Sequence, residues 1–296
     1  MNWQGVIPAI TTPFDAGGEV DHKFLARHAQ WMIDNGCTGI VALGSLGEGA
    51  TLSFDEKVAV LKTLVEALDE VPVVAGISSL STREAISLTK AAQENGCQGV
   101  MVLPPYVYST DWREMKAHVA AIMEATPLDC LLYNNPIAYK TDFAPEQIRE
   151  LADEFPNLQA VKESSGDVRR MVGIRALCGE RLSLLTGMDD AIVEGVAMGA
   201  VGWIAGLVNA FPRESVKLFE AARDGRHDEA FRLYKWFLPL LRLDTVPKFV
   251  QLIKLAQQEA GMGHESVRAP RLILQGNERE ATLQIIHEGL KTRPQF

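Results

Sequence analysis

The sequence predicts an α/β protein: a (β/α)8 TIM barrel with a C-terminal helical extension. Eight short apolar runs alternate with longer stretches of helical period between residues 5 and 205. Strand alternating with helix throughout means parallel pairing, and eight such units fit a closed barrel better than an open sheet. A helix-to-strand joint also recurs. Asn35-Gly36-Cys37-Thr38-Gly39-Ile40 matches Asn95-Gly96-Cys97-Gln98-Gly99-Val100, and Met198-Gly199-Ala200-Val201-Gly202-Trp203 is a looser copy. In each, the first glycine supplies the left-handed residue that stops a helix and the second begins a buried strand.

In chain order the apolar runs place strands at 5–10, 39–43, 71–76, 99–103, 129–133, 158–162, 182–186 and 201–205. Amphipathic stretches between them predict helices at 21–35, 53–68, 81–95, 111–125, 145–154, 167–177 and 189–198. Several open on Asp or Ser, which satisfy the first free N–H groups of a helix, and Ser53-Phe54-Asp55-Glu56 reads as a capping box. Beyond Ala205 only helical period remains, at 212–224, 228–243, 246–260 and 278–291. The expected division is a barrel catalytic domain at 1–210 and a helical appendage at 211–296. Phe231, Tyr234, Trp236 and Phe237 recur at helical spacing and read as core between the two.

Composition narrows the function classes. The chain has 296 residues, 47% hydrophobic and 23% charged, enough for a large core without metal or disulfide staples. Its net charge of −9 argues against nucleic acid, whose backbone needs a dense positive patch. No window of about 18 apolar residues suggests a membrane span, and no signal-peptide pattern opens the chain, so a cytoplasmic location is expected. Cys37, Cys97, Cys130 and Cys178 form no C-x-x-C pair and read as buried free thiols. No metal site is expected.

In a barrel of this kind the loops after the strands build the active site. After strand two, Gly44-Ser45-Leu46-Gly47-Glu48-Gly49 can offer backbone N–H donors to a carboxylate, with the Ser45 hydroxyl as a proton relay; a plain tight turn is the alternative. After strand five comes Tyr133-Asn134-Asn135-Pro136. The Tyr133 hydroxyl can pass a proton, or merely point its tip into water. Lys162 ends an otherwise apolar strand in Ala160-Val161-Lys162-Glu163-Ser164-Ser165. Desolvation there favours a neutral amine able to attack a carbonyl, although a strand-end lysine can also be an ordinary surface charge. Ser164, Ser165 and Asp189 either line the mouth or cap helices, with capping the favoured reading. Together, amine, phenol and amide-lined loop are the parts of a Schiff-base aldolase or dehydratase. Phosphate-loop, dinucleotide and zinc-protease motifs are missing, and the six histidines fall in predicted helices or the tail.

These residues resemble those of the dihydrodipicolinate synthase and N-acetylneuraminate lyase family of class I, lysine-dependent lyases. The resemblance rests on an opening from Gly5 to Phe14, then Gly44-Ser45-Leu46-Gly47-Glu48, Tyr133-Asn134-Asn135-Pro136 and Val161-Lys162-Glu163, and covers nearly the whole chain. It implies that Lys162 forms an imine with a 2-oxo acid, that Tyr133 shuttles protons, and that main-chain N–H groups at Ser45 and Leu46 bind the α-carboxylate. Gly44, Gly47, Asn135 and Ile204 are the further substrate-binding candidates. It also implies a homotetramer, and no cofactor beyond the imine.

Three departures bear on the substrate. Family synthases usually carry Thr-Thr where this chain has Ser45-Leu46, a relay tyrosine from across a dimer interface where it has Val107, and a carboxylate-binding arginine near Ala138. They speak against a synthase of lysine biosynthesis. The stretches Tyr133 to Tyr139, Gly202 to Pro212 and Leu243-Asp244-Thr245-Val246 look most like the deaminase-like branch of bacterial hydroxyproline breakdown. That implies Δ1-pyrroline-4-hydroxy-2-carboxylate as substrate, with 2,5-dioxopentanoate and ammonia as products. The alternatives are 4-hydroxy-tetrahydrodipicolinate synthase, a 2-keto-3-deoxy sugar-acid aldolase or dehydratase, and a non-catalytic ligand-sensing barrel in which Lys162 only pairs with an acid.

Overall fold

The computed structural model describes residues 1–106 and 111–295. The eight apolar runs form strands β1 (Gly5–Pro8), β2 (Ile40–Ala42), β3 (Val73–Ile77), β4 (Gly99–Val102), β5 (Asp129–Asn134), β6 (Leu158–Glu163), β7 (Ser183–Thr186) and β8 (Gly202–Ala205). All pair in parallel in the order β1-β8-β7-β6-β5-β4-β3-β2. Gly5 to Pro8 stand in register with Gly202 to Ala205. Between β1 and β2 the ring is drawn together by the bridge Ala9↔Val41 and by the Ile10 N–H, which donates to the Val41 carbonyl at 2.9 Å. This is the TIM barrel that the sequence predicts. β2 stops short of residue 43 because Leu43 turns to φ 62°, where a strand cannot continue.

The helices are α1 (His22–Asp34), α2 (Phe54–Leu68), α3 (Thr82–Glu94), α4 (Trp112–Glu124), α5 (Pro136–Tyr139), α6 (Pro145–Glu154), α7 (Arg169–Cys178), α8 (Ile192–Ala197), α9 (Pro212–Arg223), α10 (His227–Leu241), α11 (Phe249–Glu259) and α12 (Gly276–Lys291). Asp21, Ser53, Ser81 and Asp111 accept first-turn N–H groups as their positions predict, and Ser53 with Glu56 completes the capping box. Gly36, Gly96 and Gly199 take φ of 97°, 86° and 96°, the left-handed stop expected at the repeated joint. α9 packs on β1 and beside α8, so it stands eighth in the ring of helices around the barrel.

Of the aromatic group on α10, Phe237 is buried and Trp236 stacks on it at 4.9 Å, with Phe211 edge-on to both. Phe231 departs from the core reading: at 67% exposed it faces away from that packing, since helical spacing alone does not tell the flank of a stripe from its centre. Cys37, Cys97 and Cys130 are buried free thiols, and Cys178 is partly exposed. Among the described residues, no helix is long and apolar enough to cross a membrane.

A buried ionic seam joins α11 to the loop after β2. The Lys254 ammonium donates to Glu48 Oε1 at 2.5 Å and to the carbonyls of Thr12 and Ser266 at 2.7 and 2.8 Å. Glu48 Oε2 accepts the Arg268 N–H at 3.0 Å, and Lys254 lies 4.4 Å above the Phe14 ring. The loop therefore takes its shape partly from the far end of the chain.

Candidate active site

The strands set the site. Tyr133 on β5 and Lys162 on β6 are register partners, so both side chains emerge at the same end of the barrel. The Lys162 Nζ lies 4.2 Å from the centre of the Tyr133 ring. Lys162 is 6% exposed, and its amine has no hydrogen bond or ion pair among the described residues. Room for it depends on Gly187 after β7, where a Cβ would stand 2.7 Å from Lys162 Cε and 2.0 Å from Ser164 Oγ. Ser164 is thus no helix cap: its hydroxyl is sealed beneath Gly187 without a hydrogen-bond partner among the described residues. Asp189 does not cap α8 either. Its carboxylate turns inward to accept the Trp203 indole N–H and the backbone N–H groups of Gly206 and Leu207, and so fixes the loop after β8. Ser165 does not cap α7 either: it accepts the Asp167 N–H at 3.2 Å within the loop, and α7 begins after Val168 without a side-chain cap.

In the loop after β2 the backbone N–H groups of Ser45 and Leu46 reach no protein acceptor among the described residues, which leaves two adjacent donors for an anion. The Ser45 hydroxyl is hydrogen-bonded to the Tyr139 hydroxyl. Tyr139 arrives on α5, a single turn whose start is fixed by Pro136 and by the Asn135 side-chain Oδ1, which accepts the Ala138 N–H. The Asn135 amide also donates to the Tyr133 hydroxyl at 3.0 Å. The Tyr139 ring stands edge-on to Tyr133 at 5.7 Å and tilts against Tyr106 at 5.3 Å. Burial pushes the Tyr139 phenol up, keeping it protonated at neutral pH.

Seven of the eight site candidates, Gly44, Ser45, Leu46, Tyr133, Asn135, Lys162 and Ile204, line one cavity of about 460 Å³. Gly47 does not. Its carbonyl accepts the Thr12 hydroxyl at 2.6 Å, so it holds the loop from behind rather than touching the cavity. Ala138 lies on the exposed rim with no polar group to offer, and Val107 falls outside the described residues. Sequence reasoning missed Tyr139, for which Asn135-Pro136, a cap followed by an N1 proline, was the available signal. It also missed Asp244 and Arg271 as cavity residues, because both come from the C-terminal appendage, which carries no positional marker of the barrel mouth.

An amine beneath a phenol, two free amide donors and a hydroxyl pair around one cavity suit imine chemistry on a small carboxylate. The profile of the Dihydrodipicolinate synthetase family matches residues 2–288. The chain belongs to this family. It is therefore an enzyme of the class I, Schiff-base-forming lyases. A 4-hydroxy-tetrahydrodipicolinate synthase of Bartonella bacilliformis is 32% identical over 291 residues, covering 97% of this chain and 98% of that relative. The crystal structure of a dihydrodipicolinate synthase from Bacillus anthracis superposes with a TM-score of 0.93 at 31% identity, over 100% of both chains. A structure described as a monomeric dihydrodipicolinate synthase variant superposes with a TM-score of 0.90 at 25% identity, over 97% of this chain and 96% of that one.

Proposed function

We propose that this family member converts Δ1-pyrroline-4-hydroxy-2-carboxylate to 2,5-dioxopentanoate and ammonia through an imine on Lys162. The Lys162 amine adds at C2 of the cyclic imine and frees the ring nitrogen as a primary amine. The hydroxyls of Tyr133, Ser45 and Tyr139 carry protons, and the Ser45 and Leu46 N–H groups hold the carboxylate. The imine is the electron sink, so the reading calls for no external cofactor or metal. A homotetramer, which rests on the family resemblance, and a cytoplasmic location, which rests on the sequence pattern, belong to the same reading.

One observation carries the choice of substrate. The cavity wall presents the carboxyl group of Asp244 without any hydrogen-bonding cation. A second substrate bearing its own carboxylate finds no free base there, since Arg271 is drawn to Glu48 at 3.6 Å; a pyrroline with a single carboxylate and a hydroxyl needs none. A second reading is 4-hydroxy-tetrahydrodipicolinate synthase. The names of its relatives favour it, as does Arg271, which reaches the same cavity while standing 3.6 Å from Glu48.

Intact mass after borohydride reduction, peptide-mapped and repeated on Lys162→Ala, tests the imine, and product assays test the substrate. Expected are an adduct on Lys162 that the variant lacks, and release of ammonia from the pyrroline. Condensation of pyruvate with a semialdehyde while the pyrroline stays intact would replace the first reading by the second.

A further inference from the structure

Asp244 sits in the turn after α10 and projects over the end of β8. Its carboxyl packs so closely on Gly206 that a Cβ there would stand 2.0 Å from Oδ1 and 2.3 Å from Cγ. Oδ1 is sealed from solvent and has no hydrogen-bond partner among the described residues, yet the side chain lines the same cavity as Lys162 and Tyr133. The neighbouring Asp189 takes all three nearby N–H donors, those of Trp203, Gly206 and Leu207. Two adjacent carboxyls with such unequal partners divide their roles. The satisfied one holds charge, and the unsatisfied one holds a proton. Burial, then repulsion from Asp189, raises Asp244 well above the ordinary carboxylate range, while Lys162 pulls the other way and Asp190 adds to the rise. Asp189 itself is pushed up to about 6, by burial.

We infer that Asp244 is a catalytic acid and then base of the reaction, donating the proton with which a hydroxyl at C4 of the Lys162-bound substrate leaves as water. The inference rests on the deaminase reading above and adds to it the group that breaks the C4–O bond. After the ring opens, the hydroxyl relay of Tyr133, Ser45 and Tyr139 takes a proton from C3 of the imine and leaves an enamine. Its electron pair returns through C2–C3 to form a C3–C4 double bond as the C4–O bond breaks, and the oxygen departs with the Asp244 proton. The Asp244 carboxylate then takes a proton from C5, now acidified by conjugation to the imine, and is restored. Protons returned through the relay to C4 and to C3 leave imines at C5 and C2. Hydrolysis there releases ammonia, and hydrolysis at C2 frees Lys162. One water leaves and two enter, and no oxidant or reductant is needed.

Asp244→Asn keeps the shape and removes the proton. Incubated with the pyrroline and reduced with borohydride, this variant should carry an adduct on Lys162 that retains the C4 oxygen, while turnover falls by roughly 10²–10⁴-fold, the usual weight of a positioned acid. The adduct itself reports a folded, reactive site, so a merely misfolded variant, carrying none, overturns the assignment as a structural role. A dehydrated adduct in the variant, or turnover within threefold of the parent, overturns it as well. If the parent protein forms an adduct with pyruvate and none with the pyrroline, the substrate reading fails, and the assignment fails with it by a separate result.

Discussion

Lys254 and Lys162 are both buried, 1% and 6% exposed, yet their surroundings are opposites. Lys254 has a carboxylate and two carbonyls within hydrogen-bond reach, and its Glu48 partner is itself held by the Arg268 N–H. Lys162 has the face of Tyr133 and open cavity. The same contrast separates the carboxyls, Glu48 saturated in the seam and Asp244 bare in the mouth. In the seam, desolvated charges are compensated and hold the chain together. In the mouth polar groups are buried without partners, which costs stability and leaves them free to react.

That contrast can be broken from either side. The largest effect is expected at Lys162: Lys162→Ala should remove all reducible adduct while the protein stays folded, since no partner loses a bond. An adduct persisting elsewhere would remove Lys162 from its role. In the seam, Lys254→Met leaves the Glu48 charge with only the Arg268 N–H and the longer Arg271 pair at 3.6 Å, and should cost about 3 kcal/mol in urea unfolding, because the desolvation of the remaining ion is only partly offset. A cost below about 1 kcal/mol would mean that water already reaches this pair.

His28 extends the seam and adds a pH dependence. Its Nε2 faces the Asn209 carbonyl at 2.9 Å, and burial, with Arg27 adding to it, lowers its pKa to about 4 against that carbonyl's opposite pull. Between that value and the ordinary 6.5 the unfolded chain binds the extra proton, so stability rises with pH across this window. The contribution, about 3 kcal/mol, is fully present above pH 6.5 and is lost as pH falls toward 4. Urea midpoints at pH 7 and 4.5 should therefore differ less in His28→Gln than in the parent. The smallest effect has the opposite sign. A carboxyl whose folded pKa is raised weakens the fold once pH exceeds its unfolded value, so Asp244→Asn should unfold at a slightly higher temperature than the parent at pH 7 while activity collapses. Thermal unfolding that shows a loss instead would place Asp244 among the structural groups.

Much of this was legible along the chain. Period alternation fixes strand and helix, and the Asn-Gly joints mark where each helix must stop. Lys162 stands out because a lone amine ends an apolar strand, and Tyr133 because it holds the equivalent position one strand earlier. Side-chain direction in loops was not legible. Gly47 faces Thr12, Ser164 lies sealed under Gly187, and Asp189 reaches across to the β8 loop, although each sits where spacing suggests a ligand contact or a cap. Phe231 shows the same limit on a helix.

What the sequence determined by itself is the barrel and the location of its reactive end, because both follow from local periodicity and the fixed polarity of parallel strands. Only the tertiary structure decided what closes over that end. Tyr139 meets Ser45, Asp244 rests on Gly206, and Lys254 locks Glu48. Each joins residues distant in the chain, and burial, which sets the charge each group carries, exists only once those segments have packed.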